Sequence, residues 1–154
     1  KGFVTFGETN FVNGYEQGKK SGTALMFHLT IKTDDVDQFV QSPAREATAS
    51  GYVRCEQLGG ERPVDQGTFN LFVDTADLNR RQMKYRLFLH DADGKPVTLS
   101  GHKNVQDNVA PDIWKDTTTL FTNLFRGHVT QEQEAGSEIL AAGILRINQA
   151  SKHD

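Results

Sequence analysis

Stretches of alternating apolar and polar residues, rich in β-branched and aromatic side chains, recur roughly every 10–20 residues along the chain. They predict eight strands, over 2–7, 23–33, 51–58, 67–75, 82–91, 96–106, 117–127 and 139–148. In "QMKYRLFLHD" the period of two sets Met83, Tyr85, Leu87 and Leu89 on one face and Lys84, Arg86, Phe88 and His90 on the other. Phe69, Leu71 and Val73 likewise oppose Asn70 and Phe72, and Leu120 and Leu124 oppose Phe121 and Phe125. Helical signals are confined to "TDDVDQFVQSPAREATASG". Asp34, Asp35 and Asp37 suit a helix N-terminus, Val36, Phe39 and Val40 share a face, and Ser42-Pro43 offers a cap and first helical position. One or two short helices are expected between 34 and 49, with Gly51 as the stop.

Consecutive strands joined by short turns predict an antiparallel all-β architecture. Eight strands in one domain spanning 1–154 suit a closed up-and-down barrel, calycin- or lipocalin-like, with a two-sheet sandwich as the alternative. Closure is favoured because no strand carries evident edge protection. "GETNFVNGYEQG", 7–18, reads as a long glycine-rich connection, since its glycines lack G-x-G-x-x-G spacing and no βα unit follows. "HDADGKPV" reads as a hairpin turn: Gly94 supplies positive φ, and Asp91 supports the bend. The same Asp91-Ala92-Asp93-Gly94 imitates a calcium loop but lacks the remaining ligands and flanking helices. A calcium-dependent lipid-binding sandwich therefore stays a minor alternative.

Several strands combine a full apolar face with aromatic rings on the other. Phe72, Phe88, Phe121 and Phe125 either lie under helices and the long first loop or form an apolar patch for another domain or subunit. Inside the barrel, Phe69, Tyr85, Leu87 and the single tryptophan, Trp114, are candidates to line a cavity for an apolar small molecule. The rival reading is a small barrel enzyme acting on a lipid-like substrate, with His28, Tyr85, His90, His102 or Asp116 converging at the mouth. No catalytic residue is identified by motif: there is no G-x-S-x-G elbow, and Ser100-x-x-Lys103 lies in a strand. The five histidines show no metal-ligand spacing, so no metal site is expected.

Charge and composition narrow the partners. With 17 basic and 20 acidic residues the net charge is -3, and no basic run exceeds two residues, which argues against nucleic acid. Cys55 is the only cysteine, so no internal disulfide forms. With no apolar stretch of about 18 residues and no signal peptide, a cytoplasmic, non-transmembrane protein is expected. The chain opens on Lys1 and runs straight into strand-like "GFVTF", as a domain cut from a longer polypeptide would.

"GTFNLFVDTADLNRRQMKYRLFLHDADGKPVTLSGHKNVQDNVAPDIWKDTTTLFTNLFRGHV", with the earlier "GFVTFGETNFVNGYEQGKKSGTALMFHLTIKTDDVDQFV", resembles an accessory region of large bacterial proteins. Those proteins are similar to cholesterol oxidases of the glucose-methanol-choline oxidoreductase family and often carry an α/β-hydrolase region. The resemblance implies a parent that oxidises sterols or alcohols with FAD, or hydrolyses lipids. This chain lacks both the flavin fingerprint and the hydrolase elbow, so it implies a module without cofactor that associates with the parent's other domains. It does not imply the active site.

Overall fold

The computed structural model describes residues 2–32, 44–73, 80–106 and 119–146. Eight antiparallel strands close into a barrel in which each strand pairs with its chain neighbours. They are β1 (Gly2–Phe6), β2 (Ala24–Lys32), β3 (Ala44–Cys55), β4 (Gly60–Val73), β5 (Arg80–His90), β6 (Pro96–Gln106), β7 (Thr119–Arg126) and β8 (Ile139–Arg146). Closure is made by β1 against β8, from Gly2 opposite Leu145 to Phe6 opposite Ala141. All eight expected strands are present. β3 and β4 each begin seven residues before the expected 51 and 67.

That extension overturns part of the expected helix at 34–49. Residues 34–43 lie outside the described residues, but Ala44 to Ala49 are strand, with Ala47 opposite Phe69. Alanine, arginine and glutamate are good helix formers, but that preference is worth only tenths of a kcal/mol per residue, and pairing with β4 along 44–48, joined by β2 at Thr48 and Ala49, overrides it. Ala47 and Ala49 face inward and are buried, Ala47 opposite the Phe69 ring and Ala49 opposite Ile31.

Among the described residues the α-helix is instead α1, Phe11–Ser21, inside the segment read as a glycine-rich connection. Asn10 caps it by accepting from the Asn13 N–H at 2.9 Å, Lys19 and Lys20 occupy its last turn, and Gly22 ends it in the left-handed region at φ 77°. Gly14 and Gly18, four apart, are the reason glycine appears here. A Cβ on Gly14 would stand 1.9 Å from the Ala142 carbonyl oxygen, and one on Gly18 2.2 Å from that of Val4. The two glycines make a smooth stripe by which α1 lies directly on the outer backbone of β1 and β8. The Thr5 hydroxyl donates to the Gly14 carbonyl at 2.8 Å and fixes the contact.

The barrel interior carries the core. Val4, Leu25, Val53, Leu87, Leu89, Val97, Leu99, Leu120, Leu124 and Ala141 pack into one cluster with essentially no exposure. The register confirms the inner face of β5: Leu87 is opposite Leu99, Leu89 opposite Val97 and Tyr85 opposite Gly101. At the sealed end, Asp91 holds the β5–β6 turn. Its Oδ1 accepts from the N–H groups of Asp93 at 3.0 Å and Lys95 at 2.9 Å, and Gly94 takes φ 80°. The Lys95 and Asp93 amides and the Arg126 guanidinium hold the Asp91 carboxyl below its ordinary pKa.

Candidate functional site

The inward side chains change character along the barrel. On β2, Leu25 has no exposure, Phe27 and Leu29 are half-buried, and Ile31 is 42% exposed. On β5, Leu89 and Leu87 are sealed, whereas Tyr85 and Met83 are half-buried. Leu29 and Ile31 face inward because they pair with Gly51 and Ala49, the latter buried on the same face. The interior is therefore packed at the end where the β5–β6 turn lies. Toward the end where β2 finishes and β5 begins the described inward side chains are half-buried or exposed, and the connections 33–43, 74–79 and 107–118 at that end lie outside the described residues.

Three of the four expected lining residues meet on one inner wall. The Phe69 and Tyr85 rings lie 5.0 Å apart, and Leu87 follows Tyr85 on the same face. Trp114 lies outside the described residues. Phe27, which the strand pattern did not single out, completes the wall with its ring 5.7 Å from Tyr85. Burial pushes the Tyr85 phenol up from its ordinary pKa.

Lys103 was also missed. It faces Met83 across β5 and β6, two residues beyond Gly101 and four beyond Leu99 on the inner face, and is 4% exposed. Its alternation with Val97 and Leu99 was visible in the sequence, but a lone lysine near a strand end reads by habit as solvated. Burial alone lowers its ammonium pKa. Among the described residues neither the Lys103 ammonium nor the Tyr85 hydroxyl has a hydrogen-bond partner.

The outer rings are placed by α1 and by the segment after β7. Phe121 is half-buried, its ring 5.5 Å from Phe11 of α1 and 5.7 Å from His102. Phe88 is half-buried and stacks on His128 at 4.8 Å. Phe125 is 2% exposed, opposite Thr98. The side chain of Phe72 lies outside the described residues. Among the described residues the large apolar side chains left exposed are Val12 and Ile31.

The polar residues considered for barrel catalysis do not converge. Tyr85 is inside, while His28 stacks on Tyr52 of the neighbouring strand at 5.7 Å. His102 sits outside against Phe11, its pKa lowered by burial and by nearby Lys84, and Asp116 lies outside the described residues. His90 is on the outer face at the sealed end, its Nδ1 2.6 Å from Asp65 Oδ2. With His128 these two residues form a His-His-carboxylate set whose ligand atoms lie within 4.8 Å of one another. Zinc–nitrogen bonds of about 2.0–2.1 Å require tighter convergence. His128 Nε2 is also within 3.0 Å of the Leu89 carbonyl oxygen, so this set is first a hydrogen-bonded clasp.

A polar cleft of about 210 Å³ opens on the outer face of β5 and β6, lined by Lys84, Arg86, Ser100, His102, Gln131 and Glu134. Its central groups already answer one another. Arg86 pairs with Glu134 and donates to the Val129 carbonyl, and the Ser100 hydroxyl donates to Glu134. These bonds anchor the 3-10 turn Gln131–Gly136 to the barrel wall.

No helix among the described residues is long and apolar enough to cross a membrane. Comparisons with family models, with curated proteins and with solved structures find no match, and nothing in them links the chain to cholesterol-oxidase-like proteins.

Proposed function

We propose that the chain is a non-catalytic module that receives an apolar ligand in its barrel, through the end marked by Ile31 and Met83. The observation that carries this reading is the run of inward apolar side chains on β2, from sealed Leu25 to Ile31 at 42% exposure. A barrel serving only as scaffold gains by filling both ends, because each inward apolar group removed from water contributes about 25 cal/mol per Å². Here the aromatic wall of Phe27, Phe69 and Tyr85 sits where packing loosens, a combination suited to a chain or ring system entering end-on. The resemblance to accessory regions of sterol- and lipid-metabolising oxidoreductases and hydrolases supports the same class of ligand and a role beside other domains of a parent protein. The dispersal of His28, His90 and His102 is the reason a barrel enzyme is the weaker alternative.

Native mass spectrometry of delipidated protein with cholesterol and with oleyl alcohol tests the reading. A one-to-one complex is expected with at least one of them, lost in Leu29→Trp, which narrows the entrance, and kept in Val12→Glu on the exposed side of α1. Absence of both complexes, or equal binding by Leu29→Trp and wild type, would refute it.

A further inference from the structure

The interior contains one feature that an apolar ligand alone does not explain. Lysine is rarely buried unpaired, because its ammonium loses hydration without recompense. Lys103 is nevertheless 4% exposed on the inner face. Among the side chains described, its inward neighbours are apolar or neutral: Met83 directly across, Leu120 packed on Gly101, and Thr122, whose hydroxyl already donates to the Leu120 carbonyl at 3.0 Å; the register also sets Arg81 on this face, its side chain outside the described residues. Tyr85 pairs with Gly101, so it is the diagonal inward neighbour of Lys103. Such diagonal pairs stand about 7–8 Å apart at the backbone, within reach of long side chains. One cation and one hydroxyl donor, with no hydrogen bond to another described residue, thus stand on the inner face where the described side chains are no longer sealed.

Resting on the reading of the barrel as a ligand-binding module, we infer that Lys103 and Tyr85 form a head-group site for a carboxylate, so that the ligand is a long-chain carboxylic acid. The donor set matches a monoanion: the ammonium meets the charge, and the phenol hydroxyl donates a second hydrogen bond. The alkyl chain then lies against Phe27, Phe69 and Leu29, toward Ile31. The lowered pKa of the free ammonium accords with the same arrangement, since a bound carboxylate restores the charged form.

Oleate and oleyl alcohol share a chain and differ in the head group, so their affinities for the full chain separate the two ideas. Wild type is expected to bind oleate at least tenfold more tightly than the alcohol. Lys103→Met is expected to remove that preference while leaving alcohol binding intact, and Tyr85→Phe to reduce oleate affinity several-fold. Lys19→Met, on the exposed last turn of α1, is expected to change neither and so excludes a net-charge effect. Thermal melts establish that each variant folds, and Lys103→Gln provides a second uncharged replacement. Equal affinity of wild type for acid and alcohol, or equal loss of both in the Lys103 variants, overturns the carboxylate site but leaves the barrel reading standing. Failure of wild type to bind either probe overturns both.

Discussion

Lys103 and Met83 face each other across β5 and β6 on the inside of the barrel, and the lysine is 4% exposed with no partner among the described residues. Burial disfavours the charged ammonium, as the direction of its pKa shift indicates. Lys103→Met keeps the length of the side chain and removes the charge. The variant is expected to be more stable than wild type at pH 7 by at least about 1 kcal/mol, or roughly 2–4 °C in melting temperature for a chain of this size. Equal or lower stability in denaturant melts would contradict the environment described for the ammonium.

The same residue sets a pH dependence. Its folded pKa is lowered by burial, so between that value and the ordinary unfolded value of about 10.4 the unfolded chain binds the extra proton. Stability contributed by this group therefore rises with pH across that window. The advantage of Lys103→Met is expected to be full below the folded pKa and to shrink as pH climbs toward about 10.4. Paired melts of wild type and variant in alkaline buffers measure it, and a gap that stays constant would show that the ammonium is not desolvated.

Gly14 is the most constrained contact between α1 and the barrel. Alanine favours helix over glycine by about 1 kcal/mol, which taken alone predicts stabilisation by Gly14→Ala. The added Cβ would stand 1.9 Å from the backbone oxygen of Ala142, which has no flexible side chain to yield, so packing decides the sign. Gly14→Ala is expected to destabilise by about 1–3 kcal/mol. Gly136→Ala, where a Cβ meets nothing within 4 Å, is expected to stay within about 0.5 kcal/mol of wild type. Circular-dichroism melts of the two variants discriminate.

These cases show why the strands were legible and the helix was not. Tyr85, Leu87 and Leu89 alternate with Arg86, Phe88 and His90, and the register follows that period directly. In "FVNGYEQGKKS" the apolar residues are few, because Gly14 and Gly18 bring α1 onto the barrel backbone while Phe11 and Tyr15 supply the ring contacts. Its signals were Asn10 before the segment and Gly22 after it, a cap and a stop that the glycine spacing obscured. The reverse error, helix across Ala44–Ala49, arose from residues whose local preference is small beside the cross-strand ladder with β4, which β2 joins at Thr48 and Ala49. At the candidate site, Phe69, Tyr85 and Leu87 follow from alternation. Lys103 needed the register to show that it lies inside.

The turn at Asp91 makes a prediction about cations. Oδ1 already accepts two backbone N–H groups, and Oδ2 faces the Arg126 guanidinium at 3.4 Å. Calcium is therefore expected to give no thermal stabilisation at millimolar concentration. Because the folded carboxyl pKa lies below its ordinary value, Asp91 contributes stability that is present above the unfolded pKa of about 3.9 and lost as pH falls through the folded one. Asp91→Asn is expected to melt lower than wild type at pH 7, with the difference fading in acid. A calcium-dependent rise in melting temperature, or a pH-independent difference, would count against this account.

Thr98 links the segment after β7 to the barrel wall. It has no exposure, donates to the Gly127 carbonyl at 2.7 Å and accepts from the Val129 N–H at 2.8 Å. Thr98→Val keeps the shape and removes both bonds, leaving the buried Val129 N–H without its acceptor. A loss of about 1–3 kcal/mol is expected. It should fall first on residues 127–136, since Arg86, Ser100 and Glu134 hold that segment from its other end while Leu99 and Leu124 seal the core beneath. Hydrogen exchange followed by residue is the measurement: faster exchange through 127–136 with protection of β5 and β6 retained is the expected pattern. A uniform loss of protection across the barrel would mean that this segment is part of the barrel's single cooperative unit rather than a strap laid upon it.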